Sequence, residues 1–155
     1  MGRVAPNIKK KRCLVTFQRA EGQASVEFIL SIMVFVFLFM WSWELVMLTY
    51  TYSVLADSAK EGVRYAIVHG SGNSDCSGPG CADSTGSNVT SVVRTYARDC
   101  FHDISGMTVT VTYPDKSSAA PGRVRVVVRY AYRSYFSLAW SLPTINAAAE
   151  GRILN

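Results

Sequence analysis

Gly22-Gln23-Ala24-Ser25-Val26-Glu27-Phe28, continued by ILSIMVFVFLFMWSW over residues 29–43, is the stretch that decides the fold. From Phe28 to Trp43, sixteen residues carry no charge, no Gly and no Pro, and Glu27 and Glu44 bound them. As a helix they would span about 24 Å, short of a hydrocarbon core of about 30 Å. The uncharged character resumes after Glu44 and runs to Ala56, so such a helix can slide until its span suffices. Trp41, Trp43, Tyr50 and Tyr52 gather at the far end, as an aromatic belt would. A secretory signal peptide has a shorter apolar region and ends in a small-residue cleavage site. No clear A-x-A site follows here, so the block reads as a spanning helix.

Upstream lies a basic segment. Residues 1–22 hold Arg3, Lys9, Lys10, Lys11, Arg12 and Arg19 against Glu21, and this accounts for the whole net charge of +5. The remaining acidic and basic side chains balance. A nucleic-acid binder would carry its basic excess on the folded part, and here that part is neutral. Basic residues against an apolar run instead orient a membrane helix with the basic end in the cytoplasm. Segment 1–22 thus reads as a flexible cytoplasmic leader.

Downstream, Leu45, Leu48, Tyr52, Leu55, Ala59, Val63 and Ala66 recur at steps of three or four, one face of a helix. Asp57, Lys60, Glu61 and Arg64 fall on other faces, and Gly70 is placed to cap the end. The spacing predicts one helix from about Ala24 to His69. Its first half is greasy all round and its second half amphipathic, as for a membrane stem whose upper part packs on a head. Residues 71–87 are rich in Ser, Gly, Asn and Asp and read as a loop. Ser87 or Asn88 can cap a second helix, whose apolar period (Val89, Val92, Val93, Tyr96, Ala97, Cys100, Phe101, Ile104) runs to Gly106. Met107, Val109, Val111 and Tyr113 then alternate with threonines, and Val124, Val126, Val128, Tyr130 and Tyr132 with Arg123, Arg125, Arg129 and Arg133. These are two strands of a hairpin. The tail can return as a third strand near Thr144 to Ile153. The fold class is therefore α+β: a long N-terminal transmembrane and stem helix, then a head of one helix and an antiparallel sheet of two to three strands. At 155 residues the chain has room for one membrane element and one small head.

Cys76 and Cys81 flank a Gly-Pro-Gly turn, so their side chains can meet in a disulfide, which would persist outside the cytoplasm. Cys100, on the apolar face of the second helix, reads as a buried free thiol, and a bridge from it to either loop cysteine stays open. Two thiols are too few for a metal site, and His69 and His102 lack close ligand spacing. No nucleophile elbow and no phosphate-cradling glycine loop is present. The expectations are no enzyme, no cofactor, no metal, no nucleic acid and no small-molecule substrate. The arginine face of the second strand offers an acidic partner a docking surface, although such faces are more often simply solvated. Glu44 has two readings: a second intramembrane contact with a partner helix, or a headgroup-level carboxylate beside Trp41 and Trp43.

Gly22-x-x-x-x-Glu27-Phe28 before a hydrophobic stem resembles the processing site of type IV pilin-like proteins, in the form used by tight-adherence pilins and pseudopilins. Arg19-Ala20-Glu21-Gly22-Gln23-Ala24-Ser25-Val26-Glu27-Phe28 is similar to the start of TadE-like proteins. Ala59-Lys60-Glu61-Gly62-Val63-Arg64-Tyr65-Ala66 and the late hairpin are similar to later parts of that family. Two features depart from it: Leu45-Val46-Met47 stands where a Gly-Arg pair often follows the stem glutamate, and the Cys76–Cys81 loop is a local elaboration. The resemblance implies a pseudopilin of the bacterial inner membrane that takes part in assembly of a tight-adherence (Flp, type IVb-like) pilus. Its N-terminus would be cytoplasmic and its head periplasmic. It also implies cleavage by a prepilin peptidase between Gly22 and Gln23. Partners would be that peptidase, other pilins and pseudopilins, and pilus assembly proteins. The chain would divide into a cleaved leader (1–22), a stem helix (23–69) and a head (70–155). In the cut chain Glu27 would be the fifth residue, one helical turn from the new α-amine of its own or a neighbouring subunit, and the pairing would register one helix against another. The alternative is an unprocessed, signal-anchored periplasmic binding protein.

Overall fold

The computed structural model describes residue 2 and residues 10–101, 103–136 and 144–154. Its elements are α1 (Lys10–Val68), α2 (Ser87–Cys100), β1 (Met107–Thr112), β2 (Arg123–Ala131) and β3 (Thr144–Arg152), an α+β architecture. The chain divides into two compact units, residues 1–43 and 44–155. Residues 44–68 of α1 are therefore part of the head. Helix α1 starts at Lys10 rather than near Ala24. Residues 10–21 contain neither Gly nor Pro, and Lys10, Lys11, Arg12, Leu14, Gln18, Arg19, Ala20 and Glu21 make up most of them. Such residues favour helix without any apolar periodicity, so the periodic pattern marks burial and not the helix start. The expected second α-helix is shorter than its apolar period: it stops at Cys100, not Gly106.

In the second unit the sheet is a meander of order β1-β2-β3, antiparallel throughout. Val124, Val126 and Val128 of β2 are fully buried, and Arg123, Arg125 and Arg129 on the opposite face point outward. Opposite them on β3 stand Gly151, Ala149 and Ala147, and on β1 Val111 and Val109 face Val126 and Val128. The inward row of β3 is thus made of small residues, and α1 lies close against it. A Cβ on Gly151 would meet Val63 Cγ1 at 2.6 Å and Ile67 Cδ1 at 2.7 Å. The Leu154 amide donates to the Ile67 carbonyl at 3.2 Å, and Ile153 is buried.

The face that α1 buries differs in detail from the expected stripe. Leu55, Ala59, Val63 and Ala66 are in the core, but Leu45 and Tyr52 are exposed, and Thr51 and Ser58 are buried in their stead. Their hydroxyls donate to the carbonyls of Met47 (2.8 Å) and Leu55 (2.9 Å), so neither is buried without a partner. Small side chains let the helices approach. Gly62 faces α2, and a Cβ there would fall inside contact distance of Val93 Cγ2 and lie 3.5 Å from Val89 Cγ1.

Helix α2 ends where Phe101 adopts extended backbone (φ −114°, ψ 142°). That turn places the Phe101 ring between Tyr50, edge-on at 6.4 Å, and Tyr130, stacked at 5.8 Å. The aromatic contacts replace continued helix, and Ile104 still packs on the core from the loop. Tyr50, expected in a membrane belt, contributes to this stack. His102 lies outside the described residues.

Candidate processing and helix-pairing site

Gly22, Gln23, Glu27 and Phe28 lie on α1, and every residue from 22 to 43 is exposed. Val26 is 65% exposed, Phe28 67% and Phe35 72%. A continuous apolar surface of this extent needs lipid or other helices around it. The helix that carries it is long and apolar enough to cross a membrane, and this supports membrane anchoring. Glu27 forms no ion pair with any described residue. Gln23 and Glu27 are one turn apart on the same face, so the geometry gives the carboxylate one neighbour through which a new charge could reach it. Among the described residues, nothing lies within 4 Å of the position a Gly22 Cβ would take.

Within the chain, Glu44 meets the segment that follows β2. Its Oε2 accepts the Tyr135 amide at 3.3 Å, while its Oε1 is buried.

The loop between α1 and α2 is a tied structure. Cys76 and Cys81 are joined by a disulfide with Cα atoms 5.5 Å apart. Ser118 Oγ donates to the Pro79 carbonyl at 2.7 Å, and Tyr113 Oη donates to the Ser77 carbonyl at 2.9 Å. Cys100 is a free thiol and is exposed, not buried, because α2 ends there and Phe101 takes the place on the core side. No group of three or more His, Cys, Asp or Glu among the described residues is arranged to hold a metal. On the arginine strand, Arg123 is taken up by Asp115, with Nη2 to Oδ1 at 2.9 Å and Nε to Oδ2 at 3.2 Å. Arg125 and Arg129 point outward into solvent.

Asp83 holds this loop to α2, a role the sequence pattern did not mark. The N-terminus of α2 is capped neither by Ser87 nor by Asn88: the cap position is Gly86, in left-handed backbone (φ 74°) and without a side-chain bond. Asp83 supplies the acceptors from outside. Its Oδ1 accepts the Ser87 amide and hydroxyl, each at 2.8 Å, and its Oδ2 accepts the Asn88 amide at 2.8 Å and the Ser77 hydroxyl at 2.6 Å. Burial alone would raise its pKa, but the donors from Ser77, Asn88 and Ser87 outweigh it and hold the carboxyl well below the usual range. The only available signal was an Asp four residues before the expected cap, a spacing no capping rule uses. A depressed folded-state pKa means the carboxylate stabilises the head above its unfolded value of about 3.9. That contribution disappears as pH falls through the lower folded value. Asp83→Ala should cost about 1–2 kcal/mol at pH 7, the range for a lost helix cap. In urea denaturation the gap to wild type should narrow steadily below about pH 4; a gap independent of pH would assign the loss to packing.

In comparison with known proteins, the family model described as TadE-like protein matches residues 22–64. No curated protein and no solved structure matches the chain. The matched segment begins at the expected cleavage glycine and ends in the AKEGVR stretch, and it points to a Tad pilus-related protein.

Proposed function

From a chain that is TadE-like over residues 22–64, we propose a pseudopilin that is cut by a prepilin peptidase and takes part in assembling a tight-adherence pilus. The observation that carries this reading is the exposed apolar surface of residues 26–43 with one carboxylate, Glu27, at its entrance. The leader side would be cytoplasmic, by its basic residues, and the head periplasmic.

Hydrolysis of the Gly22–Gln23 bond adds water across the peptide and leaves a carboxylate on Gly22 and an amine on Gln23. A protonated amine at a helix N-terminus faces the positive end of the helix dipole. The same terminus exposes backbone N–H groups without intrahelical partners. Both are costly in an apolar setting, and a carboxylate relieves both. Glu27 of the same chain, or of its neighbour in an assembly, is the group in reach. Before the cut, α1 runs through the scissile bond. Gly22 lowers helix propensity by roughly 1 kcal/mol relative to Ala, and it has no packing partner of the kind Gly62 has among the described residues, so local unwinding for the peptidase is eased there. Partners on this reading are the peptidase, other pilins and pseudopilins, and the pilus assembly proteins of the inner membrane.

The test is the N-terminal residue of the protein recovered from its native membrane. Intact mass and terminal sequencing should give a chain starting at Gln23, and Gly22→Leu should leave the full-length chain uncut. A wild-type chain still carrying its leader in cells with active peptidase would instead favour a signal-anchored binding protein.

A further inference from the structure

Among the described residues, two side-chain polar atoms of the head are buried without a hydrogen-bond partner: Glu44 Oε1 and Tyr132 Oη. The residues approach each other from different elements. Glu44 is on α1, and Tyr132 is the first residue after β2. Burial, and next the Glu44 carboxylate beside it, raise the Tyr132 pKa above its ordinary value, so the phenol keeps its proton and remains a donor. A neutral phenol and a carboxylate oxygen are complementary, and leaving either unmatched costs its desolvation. The other carboxylate oxygen already accepts the Tyr135 amide.

We propose that Glu44 is a latch: one carboxylate on α1 holds residues 132–135 closed through the Tyr132 hydroxyl on Oε1 and the Tyr135 amide on Oε2. Beneath this strap lies a hollow of about 290 Å³ lined by Thr51, Phe101, Tyr130, Tyr132 and Tyr135, among others. The latch closes one side of that hollow, and releasing it exposes the aromatic stack built on Phe101. Only a carboxylate meets both donors at once. Ala meets neither, and Gln keeps a single carbonyl acceptor and turns an N–H₂ toward the second donor. The inference does not depend on processing, since every group in it lies in the head.

Trypsin cleavage after Arg133, an exposed residue inside the strap, reads the latch directly. The full-length protein in detergent is digested briefly and the cuts are assigned by mass. Tyr132→Phe removes one oxygen and no packing volume, and should speed cleavage at Arg133 about tenfold, the factor for one buried hydrogen bond. Cleavage at Arg125 and Arg129, within β2, should not change. Glu44→Ala should act in the same direction and more strongly, and the double variant should be no faster than Glu44→Ala alone. Unchanged cleavage in Tyr132→Phe, equal acceleration at Arg125 and Arg129, or independent multiplication of the two effects would each overturn the latch.

Discussion

Glu27→Ala should leave the protein in the membrane at wild-type levels and remove it from productive pilus assembly. The two effects separate because they depend on the carboxylate in opposite ways. For insertion, a charge at the mouth of an apolar helix is a cost, and deleting it helps partitioning. For assembly on the proposed reading, Glu27 matches the amine exposed at Gln23, and its loss strands that cation in an apolar contact. Breaking one partner of a buried ion pair costs about 3 kcal/mol or more, which is a factor of at least a hundred in an association constant. Surface pili counted by electron microscopy should fall accordingly, while the protein stays in the membrane fraction and its leader is still removed. Glu27→Gln keeps shape and hydrogen bonding but not charge, and should also fail. Normal piliation in either variant would refute the pairing, and normal piliation with an uncut leader would refute the processing as well.

The second large effect is expected at Gly62. A methyl group there would collide with Val93 Cγ2, while Val89 and Val126 would lie at ordinary contact distance. Two terms of opposite sign compete. Replacing Gly by Ala inside a helix is worth about 1 kcal/mol in its favour, whereas overpacking a tight core costs about 1–3 kcal/mol. Val93 is itself fully buried, with little room to move, so the steric term should win. Gly62→Ala should lower the Tm by several degrees, and Gly62→Leu should prevent the head from folding. Gly62→Ala combined with Val93→Ala should recover part of the loss, because the second change opens the space the first one needs. A Gly62→Ala protein that melts higher than wild type would show that α1 and α2 do not approach as described.

How much of this was legible in the sequence follows from which physical signal each feature leaves. Residues 28–43 advertise a helix through composition alone, and the strands advertise themselves through alternation, because α1, β1 and β2 each repeat one rule over many residues. The third strand was visible only as a segment that could return, since Ala147, Ala148 and Ala149 do not alternate in polarity. Features that depend on a single distant contact were not legible. Phe101 leaves the helix to sit between two tyrosines, one of them on another helix, and no local pattern records that. Thr51 and Ser58 are buried although polar, because each hydroxyl bonds a carbonyl one turn back. Asp83 caps a helix it does not belong to. At the candidate site the Gly22, Glu27 and Phe28 spacing was readable from the chain, because a linear pattern needs no fold to be seen. The setting of Glu44 was not, because it is decided by Tyr132 and Tyr135 from the far end of the sheet.

The run of small side chains on β3 bears on the order in which the molecule can be made. Ala147, Ala149 and Gly151 complete a surface whose other half, Val63 and Ile67 on α1, leaves the ribosome long before them. Until β3 arrives, that half lacks the row of small residues it packs against. A nascent chain held at the bilayer by residues 28–43 would wait there anchored, away from other unfinished chains, and this suppresses the aggregation to which late-closing sheets are prone. The greasy segment would then act as a tether during synthesis before it has any part in a finished assembly.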